Sequence, residues 1–238
     1  MNMKAVLVSS GISPKMERSL RILGYEPIFL PPLTSLPEAI RSHPDTLVFK
    51  LGGTLICSAD YCELAPYVFS DIREISPHIN IKVTSAELGG AFPQDCAFNA
   101  LPLGGHLLCR KSSISESVVE LAAEYGLEIV NVKQGYPACS AISYGGRIIT
   151  SDEGLVSAAK RIGAETYKIE PGHISLPPYE YGFIGGASGI ADGKLLFFGD
   201  YRAHPSANII EQAARELSLV PHSLSDEPLT DLGGMIFL

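Results

Sequence analysis

The sequence has little positive charge and no long apolar run. Its 238 residues include 18 Lys and Arg against 26 Asp and Glu, which gives a net charge of −8. Because nucleic acids are held mainly by Lys and Arg that displace counterions from phosphates, this balance argues against a nucleic-acid partner. No window approaches the roughly 18 apolar residues that a membrane-spanning helix needs, so we expect no membrane association.

Cysteine is also scarce, and no two cysteines form a CxxC pair. The five cysteines are an odd number, which favours reduced thiols over a disulfide framework. Near the N-terminus the apolar run covers only residues 5–8, which is too short for the core of a signal peptide. We therefore expect a cytoplasmic protein.

Motifs for metal ions and nucleotides are missing as well. No His, Cys or acidic pair has the short spacing of a zinc site, and no run matches a calcium loop. The glycines form neither GxGxxG nor GxxxxGK[ST], the two patterns that cradle phosphates. We therefore expect no cofactor and no metal ion.

The sequence does contain a recurring unit. Its composition, with 46% hydrophobic residues, 23 Gly and 17 Pro, is typical of a turn-rich globular protein. Four turns precede one polar residue and an apolar run, the pattern of a hairpin whose central residues need positive φ. These turns are Gly52 Gly53, Gly104 Gly105, Gly145 Gly146 and Asp192 Gly193. The strands that follow start at Thr54, His106, Arg147 and Lys194, and a fifth starts at Lys4.

A helical segment follows each of these strands, least clearly after the one at Thr54, where Pro66 falls within the helical pattern of residues 60–73. Residues suited to an N-cap stand at Ser13, Ser113, Ser151 and Ser206. Several helices then end at a Gly-x-Glu pattern, with the Gly where a left-handed C-cap is needed and another strand directly after it. The shared pattern comprises Gly24, Gly126 and Gly163.

The spacing of the strand starts predicts a closed ring. They recur at intervals of 41 to 52 residues, and the interval from Lys194 past the last residue and on to Lys4 is 48. We interpret the chain as one domain, residues 1–238, of five strand–strand–helix–strand (ββαβ) units, the fifth assembled from the N- and C-terminal strands. The first strands of the units are predicted at residues 45–50, 96–101, 139–143, 183–190 and 232–238.

Five such units around a pseudo-fivefold axis resemble the pentein fold, a five-bladed α/β propeller found in the guanidino-group-modifying enzymes. Phe92 Pro93 Gln94 Asp95 is similar to the family's Phe-x-Arg-Asp, in which the Asp holds the substrate guanidinium. Residues 183–187 followed by 192–197 are similar to the family's Glu-Gly-Gly-Asp strand and its hairpin, but Ile184 and Ala187 occupy the two carboxylate positions.

The resemblance implies an altered active site. In the enzymes a Cys thiolate on the last unit's first strand, close to the chain end, attacks the guanidinium carbon with help from a His and a carboxylate. Here residues 233–238 are Gly, Gly, Met, Ile, Phe and Leu, and the last cysteine is Cys139. We therefore expect a degenerate site rather than a guanidine hydrolase of the standard kind.

Candidate site residues are the polar residues where the channel-lining first strands begin, together with one polar loop. For ligand binding they are Asp95, Asn99, Asp200 and Asp231, and weak catalytic candidates are Cys139, His173 and His204. For Cys139 a small buried thiol is the more common role, and Asp200 is equally suited to satisfying a helix N-terminus.

Three functions remain open from the sequence. The first is binding of a small guanidino or amino compound in the central channel, through Asp95 and its neighbours. The second is a hydrolase or amidinotransferase acting on a guanidino compound, which uses Cys139 with His173 or His204 as a relocated pair. The third is a noncatalytic protein-binding ring, which the acidic balance disfavours. The sequence does not indicate the oligomeric state.

Overall fold

The computed structural model describes residues 4–238, and its strands form five separate three-stranded sheets. In chain order the strands are β1 (Lys4–Ser9), β2 (Tyr25–Leu30), β3 (Val48–Leu51), β4 (Thr54–Ser58), β5 (Asn80–Thr84), β6 (Leu101–Leu103), β7 (His106–Cys109), β8 (Glu128–Asn131), β9 (Ala141–Tyr144), β10 (Arg147–Thr150), β11 (Glu165–Lys168), β12 (Ser188–Ala191), β13 (Lys194–Phe197), β14 (Val220–Ser223) and β15 (Ile236–Phe237).

All five sheets share one strand order. The central strand pairs antiparallel with one neighbour and parallel with the other, as β4 does with β3 and β5. The antiparallel pairs β3–β4, β6–β7, β9–β10 and β12–β13 are the predicted hairpins, and each turn contains at least one glycine with positive φ, for example 57° at Gly145. The mixed α/β class and the hairpins are therefore confirmed.

One sheet combines distant parts of the chain. The central strand β1 pairs parallel with β2 and antiparallel with β15, with Val6 opposite Phe237 and Leu7 opposite Ile236. The ring of Tyr25 packs edge-on against that of Phe237, with centroids 4.9 Å apart. The predicted pairing of the N- and C-terminal strands is thus present.

Helices connect the central strand to its parallel neighbour in each sheet. Those of six residues or more are α1 (Pro14–Ile22), α3 (Ala59–Leu64), α4 (Pro66–Ile75), α5 (Glu116–Glu124), α7 (Glu153–Arg161) and α8 (Ala207–Glu216), while α2 (Pro44–Leu47) and α6 (Pro137–Ser140) are single turns. Each central strand is almost wholly buried between its sheet neighbours and such helices, as Leu55, Ile56 and Cys57 of β4 show with 0% exposure. Among residues 4–238, no helix is long and apolar enough to cross a membrane.

Helix starts were only partly predicted. Ser13 caps α1 as expected, since its hydroxyl accepts from the backbone N–H of Met16. The cap of α5 is Ser115 rather than Ser113, and that of α7 is Asp152 rather than Ser151. Asp152 is the capping residue because its carboxylate accepts a hydrogen bond from the N–H of Leu155, and such a bond is stronger than one to a serine hydroxyl.

The first strands begin later than predicted. For instance β3 starts at Val48 instead of residue 45, and β15 at Ile236 instead of residue 232. The residues before them form short turns, such as α2 and α6, because their polar groups bond to neighbouring segments instead of to a strand ladder. These turns, which we call the lead segments, are residues 43–47, 94–100, 137–140, 183–187 and 231–235.

Candidate functional site

The five lead segments are joined by hydrogen bonds into a closed circuit. Each segment bonds to the next around the circuit through a backbone group or through the side chain of Asn99. The bonds are Asn99 Nδ2 to Asp45 O at 3.2 Å, Ala138 N to Asn99 Oδ1 at 2.8 Å, Gly186 N to Cys139 O at 2.9 Å, Leu232 N to Gly186 O at 3.0 Å and Asp45 N to Gly233 O at 3.1 Å. The circuit therefore returns to the segment at which it began.

Glycine makes this close approach possible. A Cβ atom on Gly185 would lie 2.1 Å from the backbone oxygen of Ala138, and one on Gly186 would lie 1.9 Å from a carboxylate oxygen of Asp231. Real side chains do not tolerate such distances, so these positions accept only glycine without movement of the neighbouring segment. The predicted Gly185 and Gly186 thus act by allowing backbone contact.

Four ionisable side chains project from the circuit into one buried cluster: His43, Asp45, Cys139 and Asp231, with exposures of 2%, 8%, 4% and 1%. The Cys139 thiol donates to a carboxylate oxygen of Asp45, and Asn99 Nδ2 lies 3.6 Å from Cys139 Sγ. Nδ1 of His43 lies 3.7 Å from Oδ1 of Asp231 and has no hydrogen-bond partner.

A cavity of about 300 Å³ opens onto this cluster. We call it the tyrosine cavity because three tyrosines line it. Its lining comprises Ile40, His43, Gln134, Tyr136, Cys139, Leu176, Tyr179, Tyr181, Phe183 and Asp231. Tyr179 and Tyr181 are 51% and 36% exposed, so they stand at the mouth, whereas Cys139 and Asp231 form the buried floor. A second cavity of about 290 Å³, lined by Asp45, Lys50 and Gly185 among others, also reaches this cluster.

Burial favours the protonated forms of the Asp45 carboxyl group and the Cys139 thiol, which face each other. Removal from water raises the pKa of Asp45 to about 8, and the nearby Asp231 carboxylate adds to that rise. Burial also raises the pKa of the Cys139 thiol well above its ordinary value, with further contributions from Asp45 and Asp231. A thiol in this state is not activated for nucleophilic attack.

Burial raises the pKa of Asp231 and lowers that of His43. Asp231 accepts hydrogen bonds from the backbone N–H groups of Phe183 at 2.8 Å and Gly233 at 3.1 Å, which favour the charged carboxylate. Its pKa therefore rises only to about 6. Burial lowers the pKa of His43 to about 4, so its imidazole is neutral at physiological pH.

Asp95 lies one layer behind the cavity wall. Its side chain is buried, with one carboxylate oxygen accepting from the hydroxyl of Tyr136 at 2.6 Å and the other left without a partner. Burial, followed by the hydrogen bond to Asp95, raises the pKa of Tyr136. Asp95 is thus positioned to act on the cavity through Tyr136 and is not among the residues lining it.

The remaining predicted residues lie elsewhere in the fold. Asp200 caps the short helix Tyr201–Ala203 by accepting from the N–H of Arg202, the structural role considered for it. His173 and His204 pack against each other, with ring centroids 5.7 Å apart. Neither histidine lines the tyrosine cavity, and the histidine that accompanies Cys139 there is His43.

His43, Asp45 and the cavity tyrosines are the site residues that the sequence analysis missed. The position of Asp45 in the sequence could have indicated its role, because it stands three residues before β3 and occupies a lead segment, like Asn99 and Cys139. Treating every polar residue in the five lead segments as one set would have included Asp45 and His43. The tyrosines at 179 and 181 lie in a loop with no such regularity.

Similar structures come from guanidino-modifying enzymes. DDAH from Pseudomonas aeruginosa, solved with citrulline, matches at a TM-score of 0.56 and 10% identity over 95% of this chain and 93% of the enzyme. The SxtG amidinotransferase from Microseira wollei matches at 0.55 and 12% identity over 94% and 88%, and a C. jejuni agmatine deiminase with substrate bound at 0.56 and 11% over 94% and 88%. At this identity the similarity establishes the fold, which is the predicted pentein fold.

Sequence comparison leads to a family rather than to a characterised relative. No curated protein matches the sequence. One family model covers residues 7–236, nearly the whole chain. The chain therefore belongs to the family of unknown function DUF6873, whose member described here has the pentein fold.

Proposed function

We propose that this protein binds a small guanidino or amino compound in the tyrosine cavity, with Asp231 as the anionic anchor. The observation that carries the proposal is a buried carboxylate on the floor of a cavity with aromatic walls. A volume of about 300 Å³ suits a compound of the size of an amino acid or a short amine.

The charge of the site supports a cationic ligand. Among residues 4–238, no Lys or Arg nitrogen forms an ion pair with Asp231. A buried carboxylate without a countercharge is costly, and a bound ammonium or guanidinium group would supply that charge. Each oxygen of Asp231 accepts one backbone N–H and retains a second acceptor site for a ligand donor.

The walls support the same class of ligand. Tyr136, Tyr181 and Phe183 offer ring faces and edges beside Asp231, and Tyr181 and Phe183 pack edge-to-face with centroids 6.3 Å apart. Aromatic rings attract cations through their quadrupoles, by roughly 0.5–2 kcal/mol each depending on exposure. The enzymes with the same fold include an agmatine deiminase and an amidinotransferase, which makes guanidino compounds the first ligands to test.

A thermal-shift comparison of arginine, agmatine and citrulline tests the proposal. Citrulline has nearly the shape of arginine but a neutral ureido group, so it serves as the matched control. At a hundred times the dissociation constant, arginine or agmatine would add about 2.7 kcal/mol of stability, or a rise in Tm of several degrees. Equal responses to arginine and citrulline would contradict a site selected for the guanidinium group.

We also propose that the five sheets surround one axis as the blades of a propeller, within a single domain spanning residues 1–238. The closed hydrogen-bond circuit supports this arrangement, because the lead segments of all five sheets take part in it. A cytoplasmic location is part of the same proposal, and five free thiols fit a reducing compartment.

The second candidate is a thiol enzyme, favoured by one observation: Cys139 and His43 line the same cavity. In this alternative a bound cationic substrate would lower the thiol pKa, and the thiol proton would pass to His43. The thiolate of Cys139 would add to the guanidinium carbon, and the adduct would break a carbon–nitrogen bond and release ammonia, which takes up the proton from His43. Iodoacetamide labelling at pH 6, with and without agmatine, separates the candidates. A binding protein predicts that Cys139 reacts more slowly than the half-buried Cys62 in both conditions, whereas faster labelling of Cys139 favours the enzyme.

A further inference from the structure

The buried cluster has the composition of a metal centre. One ligand atom each from His43, Asp45 and Cys139 lie within 4.8 Å of one another, and all three side chains are buried. They come from two lead segments that are far apart in the sequence, which explains why no local spacing indicated them. The interpretation of the sequence as lacking a metal site was based on local spacing alone.

Two features of the cluster remain unexplained by the protein alone. Nδ1 of His43 is buried without any hydrogen-bond partner among the described residues. The thiol of Cys139 and the carboxylate of Asp45 are two acids in direct contact, and no Lys or Arg in residues 4–238 pairs with Asp45. A buried imidazole nitrogen normally has a partner and a buried pair of acids normally has a countercharge, and a metal cation would supply both.

We propose that His43, Asp45 and Cys139 bind a divalent transition-metal ion, with Zn²⁺ as the best chemical fit. Imidazole nitrogen, thiolate sulfur and carboxylate oxygen are all ordinary zinc ligands, and sulfur disfavours Mg²⁺ and Ca²⁺. Three protein ligands leave one coordination position of a tetrahedral ion for water or another ligand. His43 and Cys139 line the tyrosine cavity and Asp45 lines the second cavity, so both cavities give access to the bound ion.

Neighbouring groups hold the three side chains in place. Asn99 donates through Nδ2 to the backbone oxygen of Asp45 and lies 3.6 Å from Cys139 Sγ, while its Oδ1 accepts from the N–H of Ala138. The hydroxyl of Thr46 donates to Asp45 Oδ1 at 3.4 Å. Such outer contacts orient ligands around a bound ion.

The metal site does not depend on the proposed binding of an organic cation. A thiolate and a carboxylate balance the two positive charges of the ion, and Asp231 then remains as the unpaired negative charge on the cavity floor. The two proposals are tested separately, because metal binding is measured without any organic ligand.

The experiment is metal titration of the full chain after removal of bound ions with a chelator. We expect one equivalent of Zn²⁺ to remain with the protein through gel filtration. Co²⁺ should give a thiolate-to-metal charge-transfer band in the near ultraviolet and the intense visible bands of a four-coordinate ion. Cys139→Ser should lose the charge-transfer band, and His43→Asn and Asp45→Asn should each weaken Zn²⁺ binding at least tenfold.

Cys96→Ser is the matched control, since Cys96 is also a buried thiol but lies outside the cluster. It should bind as the wild type does. Should a cluster variant fail to fold, alkylation of the wild type decides instead: Zn²⁺ should protect Cys139 and leave Cys62 unaffected. Less than a tenth of an equivalent of bound metal, or an unchanged cobalt spectrum in folded Cys139→Ser, would overturn the proposal.

Discussion

The hydroxyl of Tyr136 couples the wall of the tyrosine cavity to Asp95. Asp95 is buried and its second oxygen has no partner among residues 4–238, so this hydrogen bond satisfies one of the two carboxylate oxygens. Its role is to hold the ring of Tyr136 against the cavity. Asp231, in contrast, lines the cavity itself, which is why the proposed function assigns ligand contact to it.

Replacing Tyr136 by Phe removes this bond without changing the shape of the ring. We expect a loss of about 1–3 kcal/mol in the free energy of unfolding, the range for leaving a buried group unsatisfied. Urea denaturation measures the loss, and Tyr144→Phe is the control because Tyr144 is 42% exposed. Equal stability of the two variants would show that the bond contributes nothing.

His204 makes stability depend on pH. Its Nδ1 accepts from the backbone N–H of Ser206 at 3.0 Å, and burial, with a smaller contribution from the nearby His173, lowers its pKa, while Glu170 opposes that shift. Since the folded pKa lies below the unfolded value of about 6.5, the unfolded state takes up the proton first as pH falls. This contribution to stability is thus complete above about pH 6.5 and is lost below it.

The measurement is urea unfolding at a series of pH values between about 7.5 and 5, the range around the histidine pKa. The wild type should lose stability on acidification, and His204→Asn, which retains an acceptor near Nδ1, should lose less. His78→Asn, at an exposed position, should follow the wild type. Parallel profiles for wild type and His204→Asn would contradict the assignment.

Sequence patterns identified part of the site and missed the rest for a physical reason. Asn99, Cys139 and Asp231 were predicted because polar residues before first strands line the channel, and all three belong to the buried cluster or its circuit. His43 and Asp45 were not weighed, although Asp45 begins a predicted first strand, and the contact of Asp45 with Cys139 spans 94 positions in the chain. Local periodicity contains no information on such contacts.

At the scale of elements, the sequence patterns predicted the hairpins closely but did not predict the lead segments. Glycine pairs and alternating apolar residues fix a tight turn and its strands locally, so the starts of β4, β7, β10 and β13 were predicted to the residue. The first strands were predicted to start two to five residues too early. In the lead segments, hydrogen bonds to other segments replace the strand ladder, and sequence propensity does not report those bonds.

Gly185→Ala tests the packing of the lead segments. The new methyl group would meet three backbone oxygens, at 2.1, 2.5 and 2.7 Å, none of which can rotate away. We expect a loss near the upper end of the 1–3 kcal/mol that is typical of overpacking, measured as a lower urea midpoint with unchanged slope. Gly105→Ala is the control, because its methyl group would have no neighbour within 4 Å. Equal effects of the two substitutions would contradict the close approach.

At the scale of the whole molecule, the pairing of β1 with β15 joins the N- and C-terminal strands in one sheet. Phe237 packs on Tyr25, and Ile236 and Leu238 pack against the core cluster that contains Leu7. The same lead segment that enters β15 supplies Asp231 to the cavity. The site and the closure of the fold therefore depend on one another.

Deleting residues 236–238 should destabilise the whole molecule and not one sheet alone. Three partly buried apolar side chains would be lost, which costs about 3–5 kcal/mol on the scale of burial energies, and β1 would become an exposed edge strand. Circular dichroism should show a Tm lowered by several degrees with a broader transition. A transition identical to that of the full chain would mean that closure does not support the fold.

The central claim is that Asp231 anchors a small organic cation, and isothermal titration of agmatine tests it most directly. The matched variants are Asp231→Asn and Asp226→Asn, the latter removing a carboxylate that is 81% exposed on the surface. We predict equal affinity for the wild type and Asp226→Asn, and at least about thirtyfold weaker binding to folded Asp231→Asn, as expected from losing about 2 kcal/mol with a buried charge pair. Unchanged affinity in Asp231→Asn, or no binding of agmatine or arginine to the wild type, would contradict the claim.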